Sequence, residues 1–451
     1  MANENRAFAV MEKYLMGPMG KIASWRFVRA VMAAGMASIP FVIVGSIFLV
    51  FNVLPQSFPF LEGFFNSTFF KISDLYMLAY KASMGLIALF FGLVIGYEYT
   101  KIYADEEGIN LNPLNGALLS MFAFFMTIPQ LVLDNGKLSL VNQIDDSTNI
   151  IFGWEVVDNG LSRLGSTGIF TAIIVSVVAV HIYRLCVKRN WVIKMPEAVP
   201  EGVARAFTAL IPAFLVAFVI LLINGILVAL GTDIFKIISI PFGFVVNLTN
   251  SWLGILVIYF LVHALWIVGI HGANIVFGFL TAIVLTNMQS NIDGANIPLA
   301  GEFNNAFVTI GGSGGTLGLC IFILFLAKSE QLKILGKASI APGIFNINEP
   351  LIFGLPIVYN PYLAIPFFLA PMASASVGYW AIKLHIIDPV IAQMPWPTPV
   401  GIGAFISTGG DIMAFFVALL CAAVAFIIWL PFIKMYDKKL VEQEKGGESV
   451  L

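Results

Sequence analysis

Residues 251–288 read SWLGILVIYFLVHALWIVGIHGANIVFGFLTAIVLTNM, a stretch without a single Asp, Glu, Lys or Arg. Two apolar runs, 251–271 and 273–288, meet inside it at Gly269-Ile270-His271-Gly272-Ala273-Asn274 with almost no polar loop. A helix needs about 20 apolar residues to cross the hydrocarbon core of a bilayer. In lipid every backbone polar group must find a partner, so irregular backbone survives only where protein or a water-filled cavity surrounds it. A glycine-flanked junction of this kind lets one helix end and another begin, leaving free N–H or C=O groups that point into the protein. The stretch therefore reads as part of a helical membrane protein whose spans are interrupted on purpose.

The rest of the chain agrees. Of 451 residues, 59% are hydrophobic and only 11% charged, with a mean hydropathy of +0.92. Soluble domains are about 45–50% apolar and about 25% charged, so lipid must be the solvent for much of this surface. Forty phenylalanines and eight tryptophans suit lipid-facing and interfacial positions. Ten spans are expected, at roughly 27–54, 76–101, 112–133, 164–187, 203–231, 251–271, 273–288, 307–327, 361–383 and 407–433. The run from Phe27 to Leu54 is too long for a signal-peptide core and lacks a small-residue cleavage pattern behind it, so it reads as a retained first span.

Basic residues set the orientation. Arg6, Lys13, Lys21, Arg26 and Arg29 precede or open span one, and Arg184, Lys188, Arg189 and Lys194 follow span four. Lys328, Lys333 and Lys337 follow span eight, and Lys434, Lys438, Lys439 and Lys445 lie in the tail. With ten spans all of these fall on one side, which places both termini in the cytoplasm. The opposite loops are acidic: 134–160 carries Asp134, Asp145, Asp146, Glu155 and Asp158 against Lys137, and 289–306 carries Asp293 and Glu302. The net charge of -2 and the lack of any basic stripe give no sign of nucleic-acid binding. Cys186, Cys320 and Cys421 are far apart and each lies in or beside an apolar run, which points to buried, inert thiols. There is no HExxH, no His/Cys cluster at ligand spacing and no nucleotide-binding motif, so neither a metal nor a cofactor is expected.

A polar, proline-containing stretch near Asn190–Gly202 separates five regular spans from five that are broken by Gly, Pro, Asn and charged residues. Three places in the second half carry polar side chains on irregular backbone. At the first, His271 and Asn274 add donors and acceptors to the junction; His271 is either a satisfied histidine at a helix junction or a ligand contact, and an ionisable group there is costly without a task. His263, in the same span, reads as packing or an interfacial anchor. At the second, Phe345-Asn346-Ile347-Asn348-Glu349-Pro350 lies between apolar stretches too short to span, the pattern of a re-entrant hairpin with a polar tip. Pro350 disfavours helix at Glu349, and the alternative is a simple cytosolic loop carboxylate. At the third, Met394-Pro395-Trp396-Pro397-Thr398-Pro399 cannot form a regular helix; Trp396 is either an interfacial aromatic or a face on which a sugar ring stacks. The run Gly311-Gly312-Ser313-Gly314-Gly315 lacks the ending of a phosphate loop and reads as close packing or a hinge. A histidine, a carboxylate, amides and a tryptophan on broken backbone suit a neutral polyol, since amides and carboxylates pair with hydroxyls while the aromatic covers the ring face.

In order along the chain, Met195-Pro196-Glu197-Ala198-Val199-Pro200 with Val203-Ala204-Arg205, then Val268–Asn274, Phe345–Pro350 and Pro395–Pro399 resemble four signatures of one family. It is the sugar-transporting C component (enzyme IIC) of bacterial phosphoenolpyruvate-dependent phosphotransferase systems, in its lactose/cellobiose/diacetylchitobiose branch, and the likeness covers roughly residues 10–435. The resemblance implies an all-α polytopic membrane protein of the bacterial cytoplasmic membrane, with about ten helices and re-entrant hairpins. It implies a homodimer in which 1–202 is scaffold and dimer interface, 203–435 is the sugar-binding half moving as an elevator, and 436–451 is a polar cytoplasmic tail. The substrate would be a β-linked disaccharide whose 6-hydroxyl takes a phosphoryl group from a phosphocysteine on a separate IIB protein, itself served by IIA. By the same resemblance Glu349 corresponds to the carboxylate that holds the reacting hydroxyl, with general base as a further role open to it. His271 corresponds to the histidine beside it, and Asn274, Asn348 and Trp396 to positions near the bound sugar. From the residues alone a rival reading stands, a proton-coupled secondary transporter with His271 and Glu349 as relay.

Overall fold

The computed structural model describes residues 17–128, 131–134, 137–140, 162–196, 199–267, 269–355, 357 and 361–445. The readings placed on Arg6, Lys13, Asp145, Asp146, Glu155, Asp158, Glu197, Ala198 and Val268 lie outside these residues. The described chain is helical apart from one antiparallel hairpin, β1 (Leu131–Asp134) with β2 (Lys137–Leu140), in which Leu131 pairs with Leu140. It forms two compact units. One comprises Ile22–Gly45 and Leu78–Val246; the other comprises Met1–Lys21, Ser46–Met77 and Asn247–Leu451. The division expected at residue 202 falls inside the first of them.

Helix α1 (Arg26–Ser57) begins in the first unit, which continues with α2 (Ile87–Glu107), α3 (Pro113–Met126), α4 (Ile169–Lys188), α5 (Glu201–Ala229) and most of α6 (Ile234–Thr249). Its helices start and stop by simple rules. Gly108 takes a left-handed conformation at the end of α2 (φ 61°). Asn112 caps α3, its side-chain oxygen accepting from Asn115 N at 3.2 Å with Pro113 next in line. Glycine lets α2 and α3 touch at the backbone: a Cβ on Gly116 would lie 2.7 Å from Gly96 O and 1.8 Å from Thr100 Oγ1. Phe91, Ile95, Phe124, Ile169 and Tyr183 are fully or almost fully buried around that contact.

At one end of this unit the expected basic residues gather. Arg26 and Arg29 pair with Glu106, while Arg26, Arg184 and Lys188 pair with Glu107 at 3.0, 2.6 and 2.7 Å. The guanidinium groups of Arg26 and Arg184 lie over the Tyr103 ring, 4.7 and 4.5 Å from its centre. The ends of spans one and four thus share a charged face, as their lysines and arginines required.

The second unit holds α7 (Trp252–Ile267), α8 (Gly272–Ile292), a π-helical turn at Asn304–Val308, α9 (Leu317–Phe325), α10 (Glu330–Ile344), α11 (Glu349–Gly354), α12 (Pro361–Lys383), α13 (Ile402–Ser407) and α14 (Ile412–Lys445). α10 and α11 form the expected hairpin around 345–348. The last turns of α14 hold the start of α10. Asp437 accepts from Lys328 N and Ser329 N at 2.9–3.0 Å, and Glu444 accepts from Ser329 Oγ at 2.7 Å and from Gln331 N at 3.2 Å. Carboxylates at a helix start satisfy orphan N–H groups and suit its positive end. Residues 436–445 are therefore part of a packed helix. Cys186, Cys320 and Cys421 are each buried, the placement expected of them.

Among the described residues seven helices are long and apolar enough to cross a membrane, or eight if α6 and α7 count as one bent span. The ten apolar windows do not all become long helices. The window at 112–133 yields the 14 residues of α3 and then the hairpin, and 251–271 yields the 16 residues of α7. The window at 307–327 breaks most sharply: Gly311, Gly312, Gly314 and Gly315 all have positive φ (77°, 96°, 90° and 64°), so no right-handed helix can run through them. α6 in turn is a helix that no expected span covered.

Candidate functional site

The site residues singled out from the sequence, His271, Asn274, Asn348, Glu349 and Trp396, all lie in the second unit. α7 ends when Gly269 adopts a left-handed conformation (φ 79°), with Gly269 N and Ile270 N donating to Trp266 O and Leu265 O at 2.9 and 3.0 Å. α8 begins three residues on, capped by His271, whose Nδ1 accepts from Asn274 N at 3.3 Å. Gly272 is required between them, because a Cβ there would lie 1.9 Å from Val262 O. A neutral imidazole that accepts at Nδ1 carries its proton on Nε2, so exposed His271 offers a donor outward. Trp266 packs beside it, ring centres 4.4 Å apart, and its buried indole N–H has no partner among the described residues. Asn274 is exposed one turn further along α8.

The turn at 345–348 is built by two asparagines. Asn346 takes the left-handed conformation (φ 60°), which asparagine tolerates better than most residues. Its Oδ1 accepts from Gly311 N at 2.8 Å, and its Nδ2 donates to Trp396 O and Thr398 O at 3.3 and 3.2 Å. Asn348 Nδ2 donates to Ser313 O and Thr316 Oγ1 at 2.7 and 2.8 Å. Three segments that look unrelated in sequence (311–316, 345–349 and 396–398) are thereby tied into one body. Gly312 and Gly314 leave no space for a side chain: a Cβ would meet the Asn348 amide at 2.2 Å and the Phe367 ring at 2.4 Å. Close packing is the part these glycines play.

This body presents Glu349 outward from the first residue of α11, and its charge is within electrostatic reach of the His271 ring. Trp396 is 53% exposed on a turn closed by Thr398 N and Oγ1, both donating to Pro395 O. The structure joins the Trp396 turn to the hairpin of Glu349 through Asn346, and exposes His271 at the start of α8 in the same unit. Asn348 is buried and its amide N–H groups are spent on the glycine loop, so its part is to hold the hairpin.

His263 is fully buried, its Nδ1–H donating to Tyr259 O at 2.7 Å and its Nε2 accepting from Gly314 N at 2.9 Å. It packs the glycine loop rather than anchoring at an interface. Trp429 Nε1 donates to Gly314 O at 2.9 Å from the other side. Glu302, counted among the loop charges, is instead only 2% exposed and accepts from Asn305 Nδ2 and Gln393 Nε2. Sequence reasoning missed it because acid in a short polar loop ordinarily faces water; the neighbouring Asn304-Asn305 was the one available signal.

The chain is matched over residues 32–371 by the family described as phosphotransferase system, EIIC. It is 33% identical to the lichenan permease IIC component of Bacillus subtilis (strain 168), over 99% of this chain and 97% of that one. It is equally, at 33%, similar to the cellobiose-specific EIIC component of Geobacillus stearothermophilus, over 99% and 98%. Among solved structures it is similar to the transporter ChbC, the IIC component from the N,N'-diacetylchitobiose-specific phosphotransferase system, with a TM-score of 0.85, 33% identity and coverage of 97% of this chain and 100% of that one. A family match over most of the chain, joined to relatives a third identical along almost their whole length, makes this protein a member of the phosphotransferase system EIIC family.

Proposed function

We propose that this chain binds a β-linked disaccharide of the cellobiose, diacetylchitobiose or lactose type outside the cell, carries it inward by alternating access, and presents its 6-hydroxyl to a separate phospho-IIB protein. The observation that carries the reading is an exposed Glu349 on a hairpin joined through Asn346 to the exposed Trp396, in the unit that also exposes His271. The names of the relatives, for lichenan, cellobiose and N,N'-diacetylchitobiose, support the sugar class. An EIIC component is a multi-pass protein of the bacterial plasma membrane that works on sugar with IIB and IIA partners. Both termini then lie in the cytoplasm, in keeping with the basic ends gathered on Glu106 and Glu107. In a homodimer the more regular unit would serve as scaffold and the broken one as carrier.

The side chains suit the chemistry. Trp396 offers an apolar face to the C–H side of a sugar ring. His271 Nε2–H donates to a ring or hydroxyl oxygen, and Asn274 supplies a further amide. Glu349 accepts the hydrogen bond of the 6-hydroxyl and takes its proton as that oxygen bonds to phosphorus and the phosphorus–sulfur bond of the IIB phosphocysteine breaks. The thiolate leaves with IIB.

The same Glu349 and His271 are what a proton relay would use, so the test separates the two. Vesicles bearing this chain, supplied with phosphoenolpyruvate and the soluble partners, should accumulate sugar phosphate at a rate indifferent to collapse of the proton gradient. Uptake that stops on collapse, and proceeds without phosphoenolpyruvate, overturns the proposal in favour of proton coupling.

A further inference from the structure

Glu302 is a buried carboxylate that the reaction above does not use. Its oxygens accept from Asn305 Nδ2 and from Gln393 Nε2. Asn305 is itself fixed, its Oδ1 accepting from Asn304 Nδ2 and Thr309 Oγ1, each at 2.9 Å, across the π-helical turn. Such turns are uncommon and cluster at functional sites. Burying an acid is costly unless hydrogen bonds surround it, and here they join two elements only: the Asn304–Val308 turn and the strand-like segment leading into Pro395-Trp396.

The segment is held elsewhere along its length. Asn291 Nδ2 donates to Val390 O at 3.0 Å, Ile391 N and Ala392 N donate to Ser407 O at 2.9 and 3.1 Å, and Gln393 N donates to Ser46 Oγ at 2.9 Å. Glu302 makes the last attachment before the tryptophan. Gln393 is three residues from Trp396, and the Pro395 ring between them fixes one φ and restricts Met394, so the anchor at Gln393 narrows where Trp396 leaves the backbone. From Trp396 onward the chain is held by Asn346. The exposed tryptophan is thus slung between two polar anchors, one of them a buried carboxyl group.

We infer that Glu302 is a positioning residue: it fixes the Trp396 ring against the disaccharide and so sets affinity, without touching the sugar. This rests on the reading of Trp396 as a sugar platform. A carboxylate is needed because both of its side-chain partners donate. In Glu302→Gln the new amide N–H₂ would face a donor, which leaves one of them unpaired.

Calorimetry with cellobiose, diacetylchitobiose and lactose on detergent-purified protein tests this in a double-mutant cycle. Glu302→Gln should raise the Kd of the bound sugar about tenfold, while in a Trp396→Ala background the same change should add nothing, because the anchor acts only through the ring. An equal added loss in both backgrounds, or no loss in either, overturns the inference while leaving the transport reading intact. A readout without sugar runs beside it: amide hydrogen exchange over 393–398 should quicken in Glu302→Gln while α2–α4 keep their protection, and unchanged exchange overturns the inference. If the wild type binds none of the three sugars the transport reading falls, and exchange alone decides whether Glu302 holds the segment. Should Glu302→Gln not fold, Gln393→Leu cuts the same link from the other side, leaving the carboxyl one donor short, and the same shifts are expected of it.

Discussion

In the first unit, α2, α3 and α4 satisfy their backbone within regular helices, approach closely at Gly96 and Gly116, and confine their charges to a network at one end. In the second, backbone breaks at 269–271, 309–316, 345–348 and 390–401, and the freed N–H and C=O groups find Asn291, Asn346, Asn348, His263 and Asp437. Both are built from equally greasy sequence. What separates them is who satisfies the main chain: in one the helix itself, in the other side-chain amides, an imidazole and carboxylates reaching across dozens of residues. A backbone satisfied by side chains can line an opening, and the second unit is where Glu349, His271 and Trp396 stand exposed.

The largest effect should come from the group that takes part in chemistry. Glu349→Gln is expected to lower sugar phosphate formation about 10²–10⁴-fold with little change in melting temperature, since the carboxylate is exposed. A variant that forms sugar phosphate at the wild-type rate would remove the second unit's claim to the reaction. Next comes the amide that joins three segments. Asn346→Ala strands Gly311 N–H and frees the Trp396 turn, and should cost about 1–3 kcal/mol, read as a lower melting temperature in detergent together with weaker sugar binding. A melting temperature equal to the wild type's would show that the broken backbone does not depend on its side-chain partners.

The smallest effect belongs to the regular unit. Ser120 Oγ is buried on α3 with no partner among the described residues, so Ser120→Ala should change stability by no more than about 0.5 kcal/mol or raise it slightly. A loss as large as that of Asn346→Ala would erase the contrast between the units.

Local sequence carried much of this. Seven of the ten apolar windows became long helices, because length and hydropathy are properties of the window itself. The motifs at His271, Glu349 and Trp396 announced themselves by polar residues and prolines where lipid-facing sequence permits neither. The window at 307–327 misled because hydropathy counts glycine as harmless, while four left-handed glycines end a helix outright. Asn346 could not have been assigned its partners, which lie 35 and 50 residues away. The polar partners of buried Glu302 include Gln393, 91 positions downstream, and no local pattern encodes that.

His263 carries a consequence for isotope-edited spectroscopy. Tyr259 C=O can only accept and Gly314 N–H can only donate, so the ring between them has a single tautomer, protonated at Nδ1 and bare at Nε2. A second proton has nowhere to sit until the glycine loop lets go. With the four histidines labelled with nitrogen-15, His263 should therefore give a resonance pair that holds its neutral pattern for as long as the loop is docked. Its change would time the undocking of Gly314, so this buried ring works as a built-in clock for the loop on which Asn346 and Asn348 are hung.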